Sequence, residues 1–160
     1  MATEGTKALS RRGMMRSSLA ALTTTAAALA GPAGWNDADL IQPADFAKRL
    51  GQKDAKKVAI FHVGFGVLYR SKHIPGSVYV GPCNKPEGIE SLRKAAAALP
   101  KTQEIVIYCG CCPWDHCPNM KPAFAELKQM GFQNVKALII NTNFSADWIQ
   151  HGYPVENGQG

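Results

Sequence analysis

The sequence has no apolar run long enough to cross a bilayer. Its most membrane-like stretch, Ser17 to Ala30, is short and carries Thr23, Thr24 and Thr25, whereas a spanning helix needs about 20 apolar residues. There is no internal repeat and no low-complexity stretch after residue 34. A basic stripe is also missing. The net charge of +6 divides into +3 over residues 1–30 (Lys7, Arg11, Arg12 and Arg16 against Glu4) and +3 over the rest, from 14 basic and 11 acidic residues. Charge spread that thinly excludes a surface that tracks a phosphate backbone, so no nucleic-acid partner is expected. Scattered cysteines are absent too. Four of the five lie within residues 109–117, whereas a disulfide framework distributes them along the chain. What remains is ordinary: 160 residues, 46% hydrophobic and 19% charged, enough for one domain with its own core.

The N-terminus reads "SRRGMMRSSLAALTTTAAALAGPAG". Arg11 and Arg12 precede the mildly apolar stretch, which closes on Ala28-Leu29-Ala30, a small-x-small cleavage pattern. This resembles a twin-arginine export signal, an address read by a receptor. It implies a signal peptide over 1–30, a linker over 31–37, a domain over 38–155 and a flexible tail over 156–160. The mature protein is then expected in a bacterial periplasm or outside the cell, with no stable membrane span after cleavage.

Within the domain, strands and helices alternate. Leu40-Ile41 is short and extended. Pro43 opens a helix with Phe46, Ala47 and Leu50 on one face. Val58–Val63 is a buried strand and Ser77–Val80 a second. A helix follows with Ile89, Leu92, Ala96 and Leu99 at helical spacing. "EIVIYC", the most apolar strand, is expected at the centre of the sheet. "PNMKPAFAELKQMG" is a helix ending at Gly131, "NVKALII" a strand, and "NTNFSADWIQHG" a last helix with Phe144 and Trp148 inward. This order predicts an α/β domain in three layers, a mostly parallel sheet with helices on both faces. Ligands in such sheets bind beyond the carboxyl ends of the strands, which is where Cys109 falls.

The unusual stretch is "IVIYCGCCPWDHCPN", residues 105–119. A cysteine at a strand tip, followed by a loop leading into a helix, faces amide dipoles that favour thiolate over thiol. The same cradle suits a persulfide anion. Cys109 is therefore a candidate nucleophile, with Gly110, Cys111, Cys112, Pro113, Trp114, Asp115, His116 and Cys117 as its loop and Lys121 or His116 as added positive charge. Two alternatives use the same atoms. Cys109, Cys111, Cys112, Cys117 and His116 would suit Zn or Cu, although C-x-C-C-x4-C is not a pair of separated knuckles. Cys112 and Cys117 could instead form a disulfide that pins the loop. Cys83 is a distant ligand or a lone thiol. Trp114 is a lid over the loop or packs on the neighbouring helix. His62 on its apolar strand and His73 before Ile74-Pro75-Gly76 read as structural.

Taken together, "HIPGSVYV", "EIVIYC", "AFAELKQMGFQNVKAL" and "DWIQHGYPV" resemble, in that order, segments of the rhodanese-like sulfurtransferase family in its single-domain form, over roughly residues 38–155. The resemblance implies that Cys109 accepts a sulfane sulfur from a thiosulfate- or polysulfide-type donor and passes it to a thiol acceptor, without a cofactor. Cys111, Cys112 or Cys117 would protect or discharge that persulfide. Family loops often carry an anion-binding arginine, and this loop has none. Lys121 or His116 would have to take its place. The family's Asp-x-Arg after the second strand is absent as well: His62 stands where the acid would be, and Arg70 would compensate for that arginine. A metal carrier, a dithiol oxidoreductase cycling Cys112 and Cys117, or a binding protein on the same fold are the rivals.

Overall fold

A computed structural model describes residues 35–52 and 57–158. The export signal and the first part of the linker lie outside the described residues. Five strands form one sheet: β1 Leu40–Ile41, β2 Val58–His62, β3 Val78–Tyr79, β4 Glu104–Tyr108 and β5 Asn134–Leu138, in the spatial order β1-β5-β4-β2-β3. Every strand pairing is parallel. β4 is central, as its continuous apolar run predicts, because only a strand covered on both faces tolerates such a run. Helices α1 Pro43–Leu50, α2 Gly66–Ser71, α3 Pro86–Ala96 and α4 Met120–Gln129 connect the strands, and a single π-helical turn, Ser145–Ile149, follows β5.

Side chains along β4 alternate between two cores. Ile105, Ile107 and Cys109 point toward α3 and α4, where they meet Leu92, Ala96, Met120, Ala123 and Leu127. Val106 and Tyr108 point the other way, onto Phe46 of α1 with Phe144 and Trp148 of the last segment. The Tyr108 hydroxyl accepts from the Ile74 backbone N–H at 3.1 Å and meets Ser77 Oγ at 3.0 Å. The "HIPGS" turn is thereby fastened to the central strand, and its first residue is structural. His73 stacks on Tyr69 and hydrogen-bonds the Tyr69 carbonyl at 2.9 Å.

Four features depart from the sequence reading. α2 was not expected: it has six residues, none of them buried, so no apolar face announces it. The last helix is one π turn, held by the Asp147 carboxylate, which accepts from Thr142 N and Asn143 N at 2.6 and 3.2 Å. The terminal stretch read as a flexible tail is tied down at Glu156, whose backbone exchanges two hydrogen bonds with His73, of 2.8 and 2.9 Å. Trp35, assigned to the linker, is buried in the α3/α4-side core against Trp114 and Phe124.

Candidate active site

The chain turns sharply as it leaves β4. Gly110 has φ +82°, a left-handed conformation that favours glycine, and a Cβ there would lie 2.6 Å from Phe144 Cβ. The loop is pinned on both sides, by Phe144 N–H to the Gly110 carbonyl at 3.0 Å and by Trp114 N–H to the Ile140 carbonyl at 2.8 Å. Trp114 is buried, its ring 5.4 Å from that of Trp35. It anchors the loop in the core and is not a lid.

Between those anchors the sulfurs converge. Cys109 Sγ lies 3.2 Å from Cys111 Sγ, which lies 3.1 Å from Cys112 Sγ and 3.9 Å from Cys117 Sγ. The sulfurs of Cys109, Cys111 and Cys117 all fall within 4.8 Å of one another. All five cysteines are free thiols. Asn119, fully buried, directs its side-chain N–H₂ at Cys109 Sγ (3.6 Å) and Cys117 Sγ (3.9 Å). Its orientation is fixed because its oxygen accepts from Asn84 N at 3.0 Å. Gly64, just past β2, lets Cys109 seat: a Cβ there would stand 2.4 Å from Cys109 Sγ.

The electrostatics differ from the expectation that Cys109 is the ionised thiol. Cys109 is pushed well above the usual thiol range, first by donating its proton toward Cys117 and then by burial, against the Cys111 backbone N–H that favours its anion. Cys117 is pulled down to about 5, first by the Cys109 thiol and also by the Asn119 backbone N–H, against burial. Cys112 is raised, chiefly by burial. Both shifts favour the anion on Cys117 over Cys109, with the Asn119 backbone N–H just before α4 adding to the effect.

Exposure separates the sulfurs further. Cys109 and Cys117 are buried, 3% and 2% exposed. Cys111 is half-buried and lines a pocket of about 450 Å³ walled by Phe65, Leu68, Phe144 and Ile149, with Lys72 at its edge. Cys111 is therefore the sulfur that meets the pocket, and Cys109 lies directly behind it. His116 and Lys121 are not brought in. The His116 ring is exposed and hydrogen-bonds Asp115 at 2.9 Å, and Lys121 is exposed at the start of α4. Arg70, the stand-in for the arginine of the absent Asp-x-Arg, lies on α2 and is absent from the pocket lining. Cys83 is buried in the α3/α4-side core, apart from the sulfur group, and its thiol is raised to about 12 by burial.

His62, at the end of β2, is buried and neutral. Burial lowers it to about 4 despite a bond with the Cys109 carbonyl, and its Nδ1 has no partner among the described residues. It packs edge-on to Tyr108 at 4.9 Å. It shapes the floor under Cys109 and carries no charge into the site.

The rhodanese-like domain model matches residues 42–139, more than half of the sequence and all of the loop. The chain belongs to the rhodanese-like family. Solved structures agree with this rhodanese-like fold. The BH2092 protein from Bacillus halodurans is similar at 24% identity, with TM-score 0.58 over 75% of this chain and 77% of that one. The Alr3790 protein from Anabaena sp. is similar at 20% identity, with TM-score 0.56 over 75% of this chain and 94% of that one. A thiosulfate sulfurtransferase from Pseudomonas aeruginosa is 26% identical with TM-score 0.55, over 76% of this chain but only 20% of that longer chain. No curated protein sequence matches.

Asn119, Gly64 and Phe144 are parts of this rhodanese-like site that the sequence did not disclose. Asn119 precedes a helix and so has the residue type of an N-cap, but its side chain makes no cap bond and faces the sulfurs instead.

Proposed function

We propose that this protein is a sulfurtransferase that carries sulfane sulfur as a persulfide on Cys109, loaded through Cys111. The observation that carries the reading is the stacking of two sulfurs at the tip of the central strand. Cys111 opens to the pocket, and Cys109 lies 3.2 Å behind it. A Cys111 thiolate attacks the sulfane sulfur of a donor in the pocket. The bond from that sulfur to its leaving group breaks, and the leaving group departs with the electron pair. Cys109 takes the outer sulfur from Cys111 as its proton passes to the departing Cys111 sulfur 3.2 Å away, so that Cys109 holds the persulfide anion and Cys111 returns to thiol. The persulfide then sits near the Cys111 backbone N–H and the Asn119 amide, donors suited to its anion. A thiol acceptor attacks the outer sulfur and restores Cys109. The family membership and the partial likeness to a thiosulfate sulfurtransferase support this class of chemistry.

The test is loading of reduced, metal-free protein with a polysulfide, read as mass increase by peptide. Cys109→Ser should hold no stable persulfide, while Cys111→Ser should load more slowly but still carry it on Cys109. Undiminished loading in Cys109→Ser would remove the proposal. Export is part of the same reading and rests on Arg11, Arg12 and the Ala28-Leu29-Ala30 pattern. Replacing both arginines by lysine should keep the protein in the cytoplasm of an exporting bacterium.

A further inference from the structure

We propose that the sulfurs of Cys109, Cys111 and Cys117 form a three-coordinate site for a soft monovalent metal ion, Cu(I). The inference is independent of sulfur transfer and uses the geometry of the whole group. The three Sγ atoms lie within 4.8 Å of one another, with two edges of 3.2 and 3.9 Å. A triangle with edges near 4 Å has its centre about 2.3 Å from each corner, the length of a metal–thiolate bond. The ligands are the residue just after β4, a loop residue two further on and the residue three positions before α4, in a loop pinned at Gly110 and Trp114, so little ordering is left for the ion to impose.

The donor set selects the metal. Thiolates suit soft ions such as Cu(I) and Zn. A structural zinc site, however, closes with four ligands, and a fourth is missing among the described residues. His116 faces solvent and bonds Asp115. Cys83 is elsewhere in the core. Cys112 Sγ, 3.1 Å from the Cys111 corner and also interacting with Cys117, falls outside the group of three that lie within bonding reach of one point. Asn119 cannot serve through oxygen, because its Oδ1 is engaged by Asn84 N. Its N–H₂ instead faces two of the three sulfurs, the placement by which an outer-shell donor orients thiolate ligands and offsets their charge. Loading replaces whatever thiol protons remain on the three sulfurs by one cation with no change of oxidation state, and the protons leave to solvent. The same sulfurs cannot then carry persulfide, so metal and sulfur compete for the loop.

The experiment is anaerobic titration of the reduced full-length protein with Cu(I) in the presence of a chromogenic Cu(I) chelator, with X-ray absorption on the loaded form. The expected result is one Cu(I) per chain bound by three sulfurs. Cys109→Ser, Cys111→Ser and Cys117→Ser should each weaken binding by at least about tenfold. Cys112→Ser and His116→Ala should stay within about twofold of the unaltered protein, below the outer-shell range. Failure to take Cu(I) from the chelator, a site of four sulfurs including Cys112, or loss of binding in His116→Ala would each overturn the proposal. Persulfide loading of the metal-free protein reads the sulfurtransferase function separately, so either can fail without the other.

Discussion

Gly64→Ala is the most discriminating substitution in the site. The added Cβ would stand 2.4 Å from Cys109 Sγ, 3.2 Å from His62 Cε1 and 3.3 Å from the Cys109 carbonyl oxygen. Ordinary contacts of this kind lie at about 3.5–4.0 Å, so the sulfur must retreat by about 1 Å or more. It is a side-chain end and can move, so the fold should survive at a cost of about 1–3 kcal/mol. The chemistry should not survive as well, because a displacement of about 1 Å at a reacting centre costs on the order of a hundredfold in rate. Loading of sulfane sulfur onto Cys109, followed by peptide mass against time, should slow by about that factor, with cooperative unfolding retained. Gly51→Ala is the control: its Cβ meets only the Lys48 carbonyl at 3.6 Å, an ordinary contact far from the loop. If folded Gly64→Ala loads within about threefold of the unaltered protein, far short of that hundredfold, the reasoning that Cys109 must seat at this spot is refuted.

The remaining predictions concern charge and substrate. Thiolate ultraviolet absorbance of the reduced protein should show one group titrating near pH 5 that disappears in Cys117→Ser; absorbance that first rises above pH 8 would contradict it. His62 is neutral in the fold, with its pKa lowered from 6.5 to about 4, so the unfolded chain binds the extra proton between those values. Stability should therefore fall as pH drops through that window, by about 2 kcal/mol at pH 5 from this group. Unfolding free energies from urea curves should fall by about that amount more in the unaltered protein than in His62→Phe between pH 7 and 5, and parallel pH dependences would contradict it. The pocket beside Cys111 has apolar walls, and Lys72 is the one cation that lines it among the described residues. Burying about 100 Å² of an apolar donor contributes about 2 kcal/mol, so an aryl thiosulfonate should exceed thiosulfate in kcat/KM by tenfold or more; equal values would show that the pocket does not hold the donor.

The fold was legible because hydrophobic burial writes directly into sequence. The run Ile105 to Tyr108 announced the central strand, and the spacing of Leu92, Ala96, Phe124 and Leu127 announced the covering helices. α2 left no such trace, since none of its residues is buried. Trp35 gave no signal because a lone aromatic between polar residues does not reveal what it packs against. In the site, clustering singled out the cysteines but not their order in depth. That order follows from side-chain direction past Gly110 and from Asn119, a contact across ten residues of chain that no local pattern encodes. The anion is favoured on Cys117 over Cys109 for the same reason: the leading cause is the Cys109 thiol, eight residues earlier in the chain, which only the folded loop brings near.

The central claim is that sulfane sulfur comes to rest on the innermost thiol of the loop. Peptide mapping of reduced, metal-free protein after brief exposure to polysulfide tests it most directly. The account predicts one added sulfur atom on the peptide with Cys109, found there in Cys111→Ser and Cys112→Ser as well and absent in Cys109→Ser. An added sulfur confined to Cys111 or Cys112, or none at any cysteine of the loop, would contradict it.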